Sequence, residues 1–434
     1  MSIITLQVGQ CGNQIGQAFY DLIVHEMINA TPASQALAGE IFFDYEEKSK
    51  KYVAKSLLID MEPKVIYECL GSQKRENLWD YNKNMTFYKQ EGSGNNWAYG
   101  YNIHGPSCRE EIIQKFSTML EKTDFLDAVV FFQSLAGGTG SGVGSYLLES
   151  IREEFQDLSI MNIAIAPHLT GEVIVQNYNT VFTLSNLYDH SDGILIVEND
   201  ILNLICKNLL HLKKPNLQDM NKVLVNMLCS VLYPALPNQN ASYYSLLQNH
   251  FRVSDTLTGF LTSSPAYKLL TVKNVPQMPD SYKDFSQDTW QGLEKRIYQM
   301  LISNTSEANI SWSTTTKSSN FNKSIANLLI ARGNNLEEQH FDLIGSKDVY
   351  TKAISTGYKY IKDTHNFNKN VKSLSLLSNS QAFLQPLEIV SKNAYNMFHA
   401  KAYVYQYEKS KLTGDDFLAA LAKIEQIHHN YQEL

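Results

Sequence analysis

The sequence predicts an α/β fold built on a parallel sheet, followed by a more polar second domain and a helical end region. Three textures carry that reading. Between Ile3 and about Leu210, short β-branched and aromatic runs alternate with helical patterns, as in successive βαβ units. Between Pro234 and Lys372 the chain turns to Asn-, Ser- and Thr-rich stretches with shorter apolar runs, and beyond them helical periodicity returns. The resulting divisions are 1–200, 201–372 and 373–434.

The expected strands are Ile3–Val8, Leu57–Ile59, Ala128–Ser134, Ile160–Ala166 and Gly193–Val197, each short and apolar enough to be covered on both faces. Ser107–Glu121 reads as a helix, with Ser107 and Glu110 as a capping box and a core-facing stripe of Ile112, Ile113, Phe116, Met119 and Leu120. A long helical pattern follows at Gln218–Leu232. Two more lie at Gln381–Tyr407 and Asp415–Tyr431, with Asp415 and Asp416 favourably placed at a helix N-terminus. The basic stretch Lys359–Lys372 reads as a solvated face. No repeat and no long Pro- or Gly-rich linker interrupts the chain, so the units are expected to pack together.

Composition narrows the functional classes. The 434 residues suffice for two or three packed units, and 44% apolar with 19% charged residues excludes a disordered chain. A net charge of −7 argues against a protein that binds nucleic acid by neutralising phosphates. Cys11, Cys69, Cys108, Cys206 and Cys229 form no CxxC pair and read as buried thiols of a reducing compartment. With neither a secretory leader nor a membrane-spanning run, the expected location is the cytoplasm.

Glycine is sparse, 22 residues in all, yet five fall in Ala136-Gly-Gly-Thr-Gly-Ser-Gly-Val-Gly144, between a strand and a helical pattern. A linker would not sit there. A strand–glycine–helix unit suits phosphate, because backbone lacking Cβ atoms can curl around an oxyanion and the helix N-terminus adds partial positive charge. The segment is not a P-loop, since GxxxxGK[ST] is absent, and it is not the first βα turn as in a dinucleotide fold. That first turn is Gly9-Gln-Cys-Gly12, so two turns are expected to share one ligand. Asp60-Met-Glu62 follows a strand and offers either a cap or a magnesium site beside a polyphosphate. Gly92-Ser-Gly-Asn-Asn-Trp97 is either a plain loop or a turn for a terminal phosphate.

Gly9-Gln-Cys-Gly-Asn-Gln-Ile-Gly16, Asn95-Asn-Trp-Ala98 and Gly137-Gly-Thr-Gly-Ser-Gly142 resemble the signatures of the tubulin family, in order. The resemblance extends to Ser378-Asn-Ser380 and Met397-Phe-His-Ala-Lys-Ala-Tyr403 near the end of the chain. Stretches such as Gly92–Gly100, His104-Gly-Pro106 and Thr170–Asn179 set it apart from alpha and beta tubulins. The resemblance implies a Rossmann-like N-terminal nucleotide-binding domain, a central helix, an α/β intermediate domain and a C-terminal helical region. It implies GTP or GDP with Mg2+ as cofactors. Gln10 and Cys11 would line the nucleotide, and Asp60 and Glu62 would lie near magnesium. Asn95 would approach the terminal phosphate, Ala136, Gly137, Gly138, Thr139 and Gly140 would wrap the phosphates, and Ser134 would lie beneath the nucleoside. Glu172 would reach the ribose, while Asn199 and Asn221 would read the guanine edge, a task suited to amides that both donate and accept.

The sequence departs from the family pattern at three places. Gln176 stands where an acidic ribose contact is usual, and Leu217 where an aromatic ring usually stacks on the base. The acid that would complete a neighbouring subunit's hydrolytic site aligns with Thr256, with Asp255 the nearest carboxylate. The final residues, Ile424 to Leu434, carry no acidic run, so contacts through an anionic tail are not expected. The implied partners are other tubulins, especially epsilon-tubulin, and the microtubules of centrioles or basal bodies in the cytoskeleton. Two classes compete: a GTPase switch or regulator of assembly that is not built into the lattice, and a nicotinamide oxidoreductase resting on fold analogy alone.

Overall fold

Thirteen strands organise the described residues: β1 (Ser2–Val8), β2 (Phe43–Glu46), β3 (Lys51–Ala54), β4 (Ser56–Asp60), β5 (Trp79–Tyr81), β6 (Thr86–Tyr88), β7 (Leu126–Ser134), β8 (Ile160–Ala166), β9 (Gly193–Glu198), β10 (Leu269–Val275), β11 (Ser324–Gly333), β12 (Gly357–Asp363) and β13 (Lys372–Ser380). The structure is a computed structural model and describes residues 1–71, 78–171, 173–235, 252–283, 285–303, 321–352 and 354–434. Ten strands form one sheet in the order β12-β11-β13-β10-β9-β8-β7-β1-β4-β6, while β2, β3 and β5 form a separate small sheet.

From β6 to β9 every pairing is parallel. All five strands expected from the sequence are present there as β1, β4, β7, β8 and β9, and almost every residue in them is buried. Continuous burial is what apolar runs require when helices cover both sheet faces. The sheet continues through a short parallel contact, Leu269 with Ile194 and Leu270 with Leu195. Beyond it β10, β13 and β11 pair antiparallel, and β12 closes the edge in parallel with β11.

One core lies between the sheet and the helices Gly9–Asn29 and Leu217–Leu232. The other lies beneath helices Gly105–Glu121, Gly144–Glu154 and Gln176–His190, which the C-terminal helices Leu384–His399 and Gly414–Gln432 join through Leu387 and Val390 of the first and Phe417, Leu421 and Ile424 of the second. Helix Leu217–Leu232 begins with a capping box of Asn216 and Asp219 and ends at Tyr233. There Arg332 of β11, buried with its cross-strand partner Asp363 of β12, forms an ion pair with that carboxylate and donates to the carbonyls of Tyr233 and Pro234. The guanidinium also lies 5.7 Å from the Tyr233 ring and 5.5 Å from that of Phe367.

Three expectations need correction. Ser107 does not cap a helix: the chain arrives through a π-helical turn, Gly100–His104, and the Ser107 hydroxyl donates back to the His104 carbonyl at 2.7 Å. With no free N-terminus there, a capping box has nothing to satisfy. The Gln381–Tyr407 pattern is broken after His399, and Tyr403 adopts φ 59° before a short second helix, Val404–Glu408. In the basic stretch Lys359 is exposed on an edge strand, but Asp363, Phe367 and Asn370 are buried, so the segment is also a core element. The cysteines are free thiols, four buried and Cys11 partly exposed. Among the described residues no helix is long and apolar enough to cross a membrane.

Candidate functional site

Four turns meet beyond the C-terminal ends of β1, β4, β6 and β7, the position where open α/β sheets place ligands. Gly9 adopts φ +74°, and a Cβ on it would lie 2.8 Å from the Gly140 nitrogen, so the first and glycine-rich turns touch backbone to backbone. A Cβ on Gly138 would lie 2.7 Å from both Ser93 Cβ and the Ser93 carbonyl, which brings the 92–97 turn into the same contact. Gly92 in turn lies directly against the Glu62 carboxylate. Buried Asn13 ties the ends of β1 and β4 together, donating to the carbonyls of Gly9 at 2.9 Å and Ile59 at 3.0 Å.

The backbone makes this place electropositive. Helix Gly9–Asn29 starts after Val8 without a side-chain cap and without an acid in its first turn. The Thr139–Val143 turn that feeds helix Gly144–Glu154 starts after Gly138 in the same way. Two helix N-termini thus present N–H groups without a capping side chain to one region, as a phosphate would require. A Cβ on Gly137 would meet nothing within 4 Å, and Gly94 and Asn95 are successive left-handed residues at an exposed tip. Gln10 is exposed, and burial pushes the Cys11 thiol up to about 12, keeping it protonated. Ser134 accepts from the Ala136 N–H at 3.2 Å, and the Thr139 hydroxyl lies 3.3 Å from that of Ser93.

Asp60 is buried at the end of β4 and Glu62 is exposed. Asp60 Oδ1 accepts from the Met61 and Glu62 N–H groups at 2.8 and 3.4 Å, so Asp60 caps its own turn. Burial nevertheless pushes its carboxyl up to about 6, against those two bonds that lower it. Among the described residues neither carboxylate has a cationic partner. A desolvated carboxylate beside an exposed one, at the rim of the four turns, fits a hard divalent cation that would lower the Asp60 pKa. No group of three or more metal-ligating side chains occurs among the described residues, so such a cation would need phosphate or water oxygens as well.

The base-side residues are spread over helices. Asn199 opens helix Asn199–Asn208 and Asn221 lies one turn into Leu217–Leu232; both are half-buried, and their helices pack on each other. Gln176 is buried and donates to the His168 carbonyl at 2.7 Å, while Leu217 is 54% exposed. Glu172 lies outside the described residues. Asp255 and Thr256 lie elsewhere: the Val253–Thr256 turn is held by Asp127, which accepts from Val253 N at 2.9 Å at the start of β7. The glycine-rich turn follows the other end of that strand, roughly 23 Å away. Asp255 therefore does not join the cradle of its own chain. Its side chain is 75% exposed, and Thr256 is half-buried.

Sequence reasoning missed two buried residues that hold the turns. Ser93 bonds His104 Nδ1 at 2.9 Å, and burial and Lys89 hold His104 below the usual histidine range. Asn179 donates to the carbonyls of Asn95 and Ala136 at 2.8 and 2.7 Å. The signal for Asn179 was an amide in a helical stretch whose neighbours Tyr178, Val181, Phe182 and Leu184 are apolar.

The family model for the Tubulin/FtsZ family, GTPase domain, matches residues 2–207. The chain is 38% identical to the tubulin delta chains of Canis lupus familiaris and Mus musculus and 37% identical to that of Homo sapiens, each alignment covering 100% of both chains. The chain belongs to the tubulin family. This tubulin is a guanine-nucleotide-binding protein of the superfamily, and its α/β fold, with the four-turn cradle at one end of the parallel strands, is the tubulin fold.

Proposed function

We propose that this tubulin holds GTP or GDP, with Mg2+, in the four-turn cradle and serves as a structural component of the cytoskeleton through contacts with other tubulins. The carrying observation is the convergence of two uncapped helix N-termini with a carboxylate pair at one sheet end. Gly137, Gly138, Thr139, Gly140 and Ala136 wrap the phosphates in this reading, with Gln10, Cys11, Asn95 and Ser134 around them and Glu172, Asn199 and Asn221 toward the nucleoside. The N-terminal unit 1–200 carries the nucleotide, 201–372 the central helix and intermediate domain, and 373–434 the helical region. The full-length similarity to delta chains supports epsilon-tubulin and the triplet microtubules of centrioles or basal bodies as its surroundings. Denaturing the purified protein and identifying the released nucleotide tests the cradle: guanine nucleotide near one per chain is expected, and none, or an adenine or nicotinamide nucleotide, overturns it.

Asp60 and Glu62 act through magnesium in this reading, because two carboxylates beside a polyphosphate would otherwise repel it. Glu62→Ala should weaken GTP binding about tenfold with magnesium and hardly at all in excess chelator. Equal weakening in both conditions removes the metal role.

The separation of Asp255 from the cradle supports an end-to-end arrangement, in which the Val253–Thr256 turn of one subunit faces the nucleotide of the next. Thr256 has no carboxylate with which to polarise an attacking water, so this chain should activate a neighbour's hydrolysis poorly. In single-turnover measurements on a defined longitudinal pair, wild type should be slow, Thr256→Glu faster and Asp255→Ala unchanged from wild type. Rapid partner hydrolysis by wild type that is lost in Asp255→Ala would assign the catalytic role to Asp255 instead.

A further inference from the structure

Asn179 uses its whole hydrogen-bonding capacity. Its amide nitrogen donates to Asn95 O at 2.8 Å and Ala136 O at 2.7 Å, one carbonyl in each of two cradle turns. Its Oδ1 accepts from the Trp97 N–H at 3.0 Å and from the Tyr407 hydroxyl at 2.6 Å. Two donors and two acceptors engaged at once leave the amide a single orientation. Both Asn179 and Tyr407 are fully buried, and the Tyr407 ring is wedged among those of Tyr178, Phe182 and Phe417.

Tyr407 is more than 220 residues away in sequence and belongs to the short helix Val404–Glu408. Other bonds join the same stretch, residues 402–410, to the cradle's surroundings. Asn96 donates to Gln406 O at 3.3 Å, Asn102 to Ser410 O at 2.8 Å, and the Tyr178 hydroxyl to Ala402 O at 3.0 Å. Among these, the Tyr407 bond reaches both phosphate turns through one intermediate side chain.

We propose that Asn179 and Tyr407 are positioning residues for the nucleotide, through which residues 402–410 set how firmly the 92–97 and 136–142 turns close on the phosphates. The inference rests on the guanine-nucleotide reading above and adds to it a control point in the C-terminal helical region. Without the Tyr407 hydroxyl, one Oδ1 lone pair loses its partner and the amide is free to tilt, loosening both carbonyl anchors together. Linkage makes the effect reciprocal: nucleotide that tightens the turns also orders residues 402–410.

The test uses the full chain loaded with a fluorescent GTP analogue and chased with unlabelled GTP. Tyr407→Phe, which keeps the ring, should release the analogue about fivefold faster. Tyr178→Phe loses a part-buried hydroxyl bond to the same segment that does not involve Asn179, and it should release at the wild-type rate. The Asn179→Ala, Tyr407→Phe double variant should release no faster than Asn179→Ala alone, since the tyrosine acts through the amide. In wild type, GTP should slow hydrogen exchange at amides 404–412, and the slowing should shrink in Tyr407→Phe. Equal acceleration in Tyr407→Phe and Tyr178→Phe reduces the contact to general stability, and wild-type release in Tyr407→Phe removes the positioning role while leaving the cradle intact. Absence of guanine nucleotide from wild type overturns the cradle reading and this inference with it. Should Asn179→Ala fail to fold, the two tyrosine variants still decide between the outcomes.

Discussion

Replacing Gly138 with valine should abolish guanine-nucleotide binding. The first side-chain carbon alone would lie 2.7 Å from Ser93 Cβ and the Ser93 carbonyl and 2.9 Å from the Asn96 nitrogen. Two of these three contacts are backbone, so no flexible side-chain end can swing aside. The 92–97 turn cannot yield cheaply either. Asn96 N donates to Ser93 O at 3.1 Å, Ser93 Oγ bonds buried His104, and Asn95 O is held by Asn179. Overpacking of this kind costs about 1–3 kcal/mol, and here the displacement falls on the two turns that would grip phosphate. Binding should drop at least about a hundredfold, read as nucleotide retained per purified chain. Thermal unfolding should accompany that measurement, because stoichiometric GTP in a folded Gly138→Val protein would show that the cradle is elsewhere. Gly137→Ala is the companion variant: its Cβ enters open space, so stability should change by less than about 0.5 kcal/mol, and any loss of GTP then reports on the ligand's own room.

Arg332→Met should be the most destabilising single change outside the cradle, by about 3–5 kcal/mol. Arg332 and Asp363 are 1% and 2% exposed. Methionine fills much of the volume but leaves a buried carboxylate without its guanidinium and the carbonyls of Tyr233 and Pro234 without that donor. Those carbonyls end the helix that carries Asn221 near its start, so the helix loses its anchor to the second half of the sheet. Removing both charges, as Arg332→Met with Asp363→Leu, should recover much of the loss, since a buried ion pair is often replaceable by packed apolar groups while half of one is not. Chemical denaturation of the three proteins checks this ordering. A single variant as stable as wild type would mean that solvent reaches the site.

The parallel half of the fold was legible because its signals are local. Runs such as Ile160–Ala166 need cover on both faces whatever surrounds them, and a strand–glycine–helix sequence such as Ser134 to Gly144 has few other uses. The acids Asp415 and Asp416 at the start of the Gly414–Gln432 helix were likewise local signals. Ser107 shows the limit: its spacing to Glu110 matched a cap, but the residues before it were already helical, and no local pattern revealed that. Strands β10 to β13 were equally hidden, because short apolar runs among polar stretches become strands only when a partner supplies the ladder.

An α/β protein with a phosphate-suited glycine turn, and membership of the tubulin family, could be read from the residues alone, since those depend on residue types at short, fixed separations. That four turns from β1, β4, β6 and β7 share one place is visible only in the folded structure. It alone placed Asp255 at the opposite end of the sheet and showed that Asn179 joins two of the turns to Tyr407. Such contacts depend on where the chain's path returns in space. The hydrogen bond between Asn179 and Tyr407 links residues separated by 228 positions, and spacing in the chain carries no information about a meeting of that kind.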